Sequence, residues 1–340
     1  MLGILYALAS AALFGASAPF AKILLGNVSP WLLAGLLYLG SGVGLALTRL
    51  VWRGAEAGLA KADLPWLAAA IFAGGICGPV LLMFGLAVTP ASATALLLNL
   101  ESVLTLGIAW IVFKEYVDLR LGSGATAIVL GAIVLSWPGE VTLSFGWGPV
   151  LIAGACLAWA IDNNLTRKVS GADPSQIAML KGLGAGVVNV TIAFAAGAQL
   201  PPTTTIAAAG VVGFLGYGIS LSLFILALRH VGTARTGAYY SLAPFIGAAI
   251  SIPLLGEAVT LPFFAGGALM AIGLWLHLTE RHGHEHAHEL MEHDHLHVHD
   301  EHHQHDHAEP VTEPHSHPHR HGRLVHKHVH YPDLHHRHTH

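Results

Sequence analysis

Charge is scarce in this chain. Only 11% of its 340 residues are Asp, Glu, Lys or Arg, against 54% hydrophobic, where a soluble domain carries about a quarter charged residues. A water-facing surface over most of the chain is thereby excluded, and no nucleic-acid partner is expected. Cysteine is as scarce: Cys77 and Cys156 both sit inside apolar runs, so no disulfide framework is suggested. No Gly-x₄-Gly-Lys-Ser/Thr loop occurs, which argues against ATP drive. No nucleophile–base constellation lies at one depth, so no enzyme is expected. Neither a basic leader nor a clear small-residue cleavage site accompanies the first apolar run, which reads as a retained helix and not a signal peptide.

What is abundant is apolar length. A helix needs roughly 20 mostly apolar residues to cross a hydrocarbon core of about 30 Å. Leu64–Val88 meets this without a charge, and Leu2–Leu25, Trp31–Leu50, Ala91–Val112 and Leu119–Trp137 do so with polar interruptions. After a Gly/Pro break come Gly146–Thr166, Ser175–Gly197, Thr205–Leu228, Thr236–Leu255 and Leu261–His277, ten segments in all. The expected fold is therefore an all-α integral membrane protein in a lipid bilayer. With the N-terminus inside, cytoplasmic loops hold Arg49, Arg53, Lys61, Lys114, Arg120, Arg167, Lys168, Arg229 and Arg235, and the outer loops hold essentially no Lys or Arg. This asymmetry follows the positive-inside rule. It places a multi-pass protein in the cytoplasmic (inner) membrane with both termini cytoplasmic.

The segments repeat. Leu39-Gly40-Ser41-Gly42-Val43-Gly44 returns as Lys181-Gly182-Leu183-Gly184-Ala185-Gly186, an offset of 142 residues, and Gly85–Glu115 aligns with Ala227–Glu257 at the same offset. Five helices are an odd number, so the second half must lie inverted relative to the first. Inverted repeats characterise secondary transporters, whose substrate sits near the midplane between halves. The expected organisation is residues 1–137 and 146–279 as two five-helix repeats, then 280–340 as a tail.

Particular residues carry a resemblance. Leu242-Ala243-Pro244-Phe245-Ile246-Gly247-Ala248, running to Leu254-Leu255-Gly256-Glu257, resembles the Pro-led ninth helix of EamA-type carriers closing on Leu-Gly-Glu. Leu98-Asn99-Leu100-Glu101-Ser102 through Phe113-Lys114-Glu115 is the first-half copy, and Phe14-Gly15 and Trp159-Ala160 resemble the start motif of each half. The chain thus resembles the drug/metabolite transporter superfamily, EamA type. The resemblance implies efflux of a small solute across about Leu2–His277. It departs from the pattern at Glu101-Ser102, where the ninth helix has Ala243-Pro244.

Ionisable residues inside a span are costly, by about 2.5–3.5 kcal/mol on insertion scales, and usually face a cavity or a partner. Glu101 lies ten residues into its segment, roughly 15 Å deep at 1.5 Å per residue. It reads either as a proton or substrate-cation site or as a packing carboxyl. Asn99 is close in sequence on another side of the helix. Asp162 and Lys181 fall at one depth and invite a salt bridge, with an inner gate as the alternative. Asn163, Asn164 and Asn189 either line the same path or act as polar glue. Trp159, Tyr239, Tyr38, Trp110, Tyr217 and Tyr240 are candidates for a substrate cage. Cys77, Cys156 and Glu101 share a depth and form a candidate transient metal site.

The tail is of another kind. It holds 23 of the 25 histidines. Alternating series run through His282, His284, His286 and His288, then His293, His295, His297 and His299, then His315, His317, His319 and His321. Imidazole suits Zn, Ni, Co and Cu, and alternation puts successive rings on one side of an extended chain. A disordered, divalent-metal-binding tail is expected. No cofactor is required, and Zn, Ni or Co is the metal expected there. The body then reads as a secondary exporter of a small-molecule or metal substrate, as a homodimer in one reading. The alternatives are a dedicated Ni/Co/Zn exporter and a membrane-tethered metal buffer or sensor.

Overall fold

Apolar runs of this length have few stable forms in a bilayer. With no water to bond, the backbone must satisfy its own N–H and C=O groups, and an α-helix does so within one segment. A computed structural model of the chain describes residues 2–51, 58–113, 119–137, 146–166, 168–169, 172–224, 226–227 and 239–279, with the tail's backbone at 283–287, 291–297, 315–321 and 325–329. Among the described residues the body has ten helical spans: α1 (Leu2–Leu25), α2 (Pro30–Val51), α3 (Lys61–Val88), α4 (Ala91–Leu97 and Leu100–Phe113), α5 (Leu119–Ser136), α6 (Trp147–Thr166), α7 (Pro174–Ala195), α8 (Thr203–Phe224), α9 (Ala243–Leu255) and α10 (Leu261–Leu278). Seven are long and apolar enough to cross a membrane by length and composition, and α6, α9 and α10 complete the set. The ninth segment was expected from Thr236; residues 228–238 lie outside the described ones.

The two halves repeat in local irregularities as well as in sequence. α3 carries a π-helical stretch at Ile71–Cys77, and α8 carries one at Phe214–Ile219. These coincide at the 142-residue offset. α4 breaks at Leu98-Asn99, and the run into α9 turns at Ser241-Leu242 just before Ala243. Two repeat-related helix pairs form the frame, α2 on α7 and α5 on α10. Glycine makes both contacts close. A Cβ on Gly182 would lie 2.7 Å from the Cα of Gly42, one on Gly124 2.8 Å from the carbonyl oxygen of Gly273, and one on Gly131 2.7 Å from that of Gly266. Gly124 and Gly131 are the repeat counterparts of Gly266 and Gly273. The crossed pairing of these four is what an inverted two-fold requires. Small residues let helix backbones approach where lipid supplies no hydrophobic drive.

At the end of the bundle that bears the α2 C-terminus, Asp173 caps α7 by accepting from Ser175 N at 2.8 Å and Gln176 N at 3.2 Å, with Pro174 in the first turn. Arg49 at the end of α2 donates to the same carboxylate and, at 2.6 Å, to Ser175 Oγ. Burial raises the Asp173 carboxyl, but Arg49 and the cap bonds together outweigh it and leave it below the usual range. A carboxylate held low contributes stability that is present above its unfolded value and is lost as pH falls through the lower folded one. Asp173→Ala is expected to cost about 1–2 kcal/mol, the range for a lost cap. In thermal melts across acidic pH, the wild-type advantage should shrink below about pH 4; an advantage independent of pH would contradict this account.

In the tail, composition suggests no regular structure. The described residues nevertheless pair as β1 (Gly283–Ala287) with β4 (Val325–Val329) and β2 (Met291–His297) with β3 (His315–His321), both antiparallel.

Candidate functional site

The site is built around the π stretch of α3. An i→i+5 stretch shifts the helix's own bonding and leaves carbonyls for outside donors, which is one reason such stretches recur at functional sites. Two of these carbonyls are taken by three side chains from three helices. Tyr38 OH of α2 and Trp159 Nε1 of α6 both donate to Gly74 O at 2.9 Å, and Asn189 Nδ2 of α7 donates to Gly75 O at 3.1 Å. Glycines admit these partners: a Cβ at Gly74 would overlap the Asp162 carboxylate, and one at Gly78 would lie 2.8 Å from Trp159 Nε1. Trp159 and Asn189 therefore tether α3. Asn189 is fully buried, and its Oδ1 has no partner.

Beside this tether, Lys181 Nζ of α7 donates to both Asp162 oxygens, at 2.7 and 2.6 Å, and to Thr166 Oγ1 at 3.2 Å. Thr166 in turn donates to Asp162 Oδ1 at 2.8 Å. The expected salt bridge is present. It lies between α6 and α7 of one half, so it braces that half and does not join the two.

A further bond between the halves lies one residue further along α6. Asn163 Nδ2 donates to Glu101 Oε1 at 2.7 Å, linking α6 of the second half to α4 of the first. Glu101 opens the second piece of α4 just beyond the break. The break has its own partners: Asn99 Nδ2 donates to Leu96 O at 2.9 Å, Ser102 Oγ to Asn99 O at 2.8 Å, and the Cys156 thiol approaches Leu97 O at 3.7 Å. Asn99 thus holds its own helix and is buried. Among the described residues Glu101 has no salt-bridge partner. One turn on, at the i+4 position of the same stripe, the Thr105 hydroxyl is buried without a partner.

An aromatic row borders the interface between halves. Ring centroids lie 5.5 Å apart for Tyr38 and Tyr217, 5.8 Å for Phe14 and Tyr217, 5.7 Å for Phe14 and Tyr240, and 4.8 Å for Phe224 and Tyr240. A cavity of ≈ 10 Å³ opens there between Phe14, Ser17, Tyr217, Leu98 and Pro244, about the room one water needs. In this conformation that point between the halves is closed to a solute.

Of the residues expected to line a path, Glu101 and Asn163 meet, Asp162 and Lys181 meet, and Trp159, Asn189 and Asn99 serve helix backbones. Tyr239 is half-buried in the run into α9, next to Tyr240 of the aromatic row. The Cys77–Cys156–Glu101 metal trio is corrected: among the described residues no three His, Cys, Asp or Glu side chains come together to hold an ion. Of the tail ligands, His282, His288 and His299 lie outside the described residues, and for His284, His286, His293, His295, His297, His315, His317, His319 and His321 the backbone is placed. Sequence reasoning missed Lys22, Gly74, Gly75 and Gly78. The Gly-Gly-x-x-Gly spacing within a charge-free span was the available signal.

Two repeated halves agree with what the comparison with known families shows. The pattern of the EamA-like transporter family matches twice, over residues 1–137 and 146–279. The chain belongs to the EamA-like transporter family. An uncharacterized transporter of Methanothermobacter thermautotrophicus is 25% identical to this EamA-family chain over 282 residues, 77% of this chain and 82% of that protein. A Salmonella typhimurium protein named as a probable amino-acid metabolite efflux pump is 25% identical over 208 residues, 56% of this chain and 68% of that protein. One crystal structure superposes with a TM-score of 0.59 at 18% identity, over 79% of this chain and 98% of that one, a likeness of fold alone.

Proposed function

We propose that this EamA-family protein is an ion-coupled exporter of a small solute of the amino-acid-metabolite class, with Glu101 as the group that takes up the coupling proton or cation. The observation that carries the reading is the placement of Glu101: a carboxylate inside a span, at a helix break, tied to the opposite half by one Asn163 bond and with no salt-bridge partner among the described residues. Such a group is costly in lipid unless it does something there. Binding a cation or proton at Glu101 changes the side-chain-to-side-chain bond described between α4 and α6, and so links occupancy to the relative position of the halves. The aromatic row supplies faces for the solute. The Salmonella relative's name supports the substrate class, and the loop charges support a cytoplasmic-membrane location with both termini inside. The test is efflux from cells preloaded with labelled amino acids and their metabolites, with and without the proton gradient. Export of one class that stops on collapse of the gradient supports the reading; gradient-independent leakage across the whole panel overturns it.

The second reading, divalent metal bound by the tail, rests on strand register. His284 faces His328, His286 faces His326, His293 faces His319, His295 faces His317 and His297 faces His315. The intervening positions oppose Glu285 to Lys327 and Glu292 to Arg320, pairs of the sign that favours that register. Histidine thus recurs at alternate positions of the paired strands, the alternation from which Zn, Ni or Co binding is expected. Truncation after Glu280 should abolish Zn and Ni retention through gel filtration, measured by elemental analysis. Equal metal content in both forms would remove the tail from the account.

A further inference from the structure

The Leu-Gly-Glu end of α9 has no part in the path just proposed, and its geometry is specific. Gly256 has a φ of 65°, a left-handed conformation that glycine adopts at helix ends without strain. The backbone N–H of Glu257 still bonds back to Ile252 O at 3.1 Å. Its side chain leaves α9 and reaches the start of α4, where Oε1 accepts from Ala91 N at 2.6 Å and Oε2 from Ser92 N at 2.9 Å. α4 is preceded by Pro90 and has no side-chain cap of its own. Its first N–H groups are therefore satisfied by a carboxylate from the other half.

The same end carries the opposite charge on the preceding helix. Lys22 Nζ of α1 donates to Leu86 O at 2.5 Å, Ala87 O at 3.1 Å and Thr89 O at 2.9 Å, closing the C-terminus of α3. Anion at a helix start and cation at a helix end both match the dipoles. The two contacts differ in what they join. Lys22, α3 and α4 belong to the first half, whereas Glu257 crosses from the second. A carrier built of inverted repeats exposes its site by moving one half against the other, so a bond across halves at one end has to give way when that end opens.

We propose that Glu257 is the outer latch of the carrier: its carboxylate holds the start of α4 to the end of α9 while the outer side is shut, and it lets go when the outer side opens. The proposal rests on the exporter reading above, and on its topology for the word outer. It gives the Gly-Glu ending of α9 a task, with glycine making the turn and glutamate making the bond. The first-half copy, Lys114-Glu115, lies outside the described residues.

The test reads accessibility and needs neither substrate nor coupling ion, so it is independent of whether Glu101 carries the ion. In a background with Cys77→Ala and Cys156→Ala, Ser17→Cys places a thiol at a cavity-lining position that is 5% exposed. Whole cells are treated with a membrane-impermeant maleimide. Labelling should be slow with Glu257 intact and at least about tenfold faster in Glu257→Ala, in keeping with loss of charge-assisted bonds. Glu257→Gln keeps the side chain's size and one acceptor, guards against misfolding, and should fall between the two. Lys22→Met, which leaves both Glu257 bonds to the start of α4 in place, should label well below the Glu257→Ala rate. Parent-rate labelling in both Glu257 variants, or the same acceleration in Lys22→Met, overturns the latch.

Discussion

Glu101→Gln is expected to reduce export to roughly a tenth to a hundredth of the wild-type rate, while yield and melting temperature stay close to wild type. The substitution keeps the shape of the side chain and its ability to meet Asn163 Nδ2, which now lies 2.7 Å from Glu101 Oε1. What it removes is the charge and the ability to bind and release a proton. A charged hydrogen-bonding group contributes about 1.5–3 kcal/mol, and each 1.4 kcal/mol is a factor of ten, which sets the size of the loss. Folding should be little affected, because the residue is half-buried and has no salt bridge to strand among the described residues. Wild-type export by Glu101→Gln would make the residue a packing carboxyl, the other reading its sequence position allowed.

Lys181→Met should have the largest effect on stability. Asp162 is 6% exposed, and its oxygens lie 2.6 and 2.7 Å from Lys181 Nζ. Removing one partner of a buried pair leaves an uncompensated charge, at a cost of about 3–5 kcal/mol, whereas replacing both is often neutral. The single variant should aggregate or melt far below wild type in detergent, and Asp162→Asn with Lys181→Met should recover most of the loss. If the pair is a brace within one half, the recovered protein also exports. A stable double variant without export would instead make the pair an inner gate.

The two outcomes show how differently the residues could be read beforehand. Spans, inversion and the repeat were legible because apolar length and glycine spacing report directly on membrane-crossing helices. Gly42 and Gly182 meet where α2 crosses α7, within glycine runs that repeat at the 142-residue offset. The Asp162–Lys181 bridge was legible because depth follows from distance along a helix. Polar glue was one of the two readings of Asn189, but the groups that Trp159 and Asn189 hold were hidden for a physical reason: hydropathy does not reveal where a helix slips into π geometry, so the freed Gly74 and Gly75 carbonyls could not be counted. Lys22 was passed over as an in-span cation, although its three bonds are all to backbone at the end of α3. Glu257 was recognised as part of a motif, but the helix it caps is 165 residues away in sequence, and only the folded chain brings them together.

The central claim is that Glu101 couples solute movement to an ion. The direct measurement is internal pH in dye-loaded proteoliposomes challenged with amino-acid metabolites, alongside uptake of the same labelled solutes. Wild-type protein should move protons, or in their place a monovalent cation, in step with at least one solute, and Glu101→Gln reconstituted to the same density should move neither. Equal solute uptake by the two proteins, with no ion movement in either, would contradict the account.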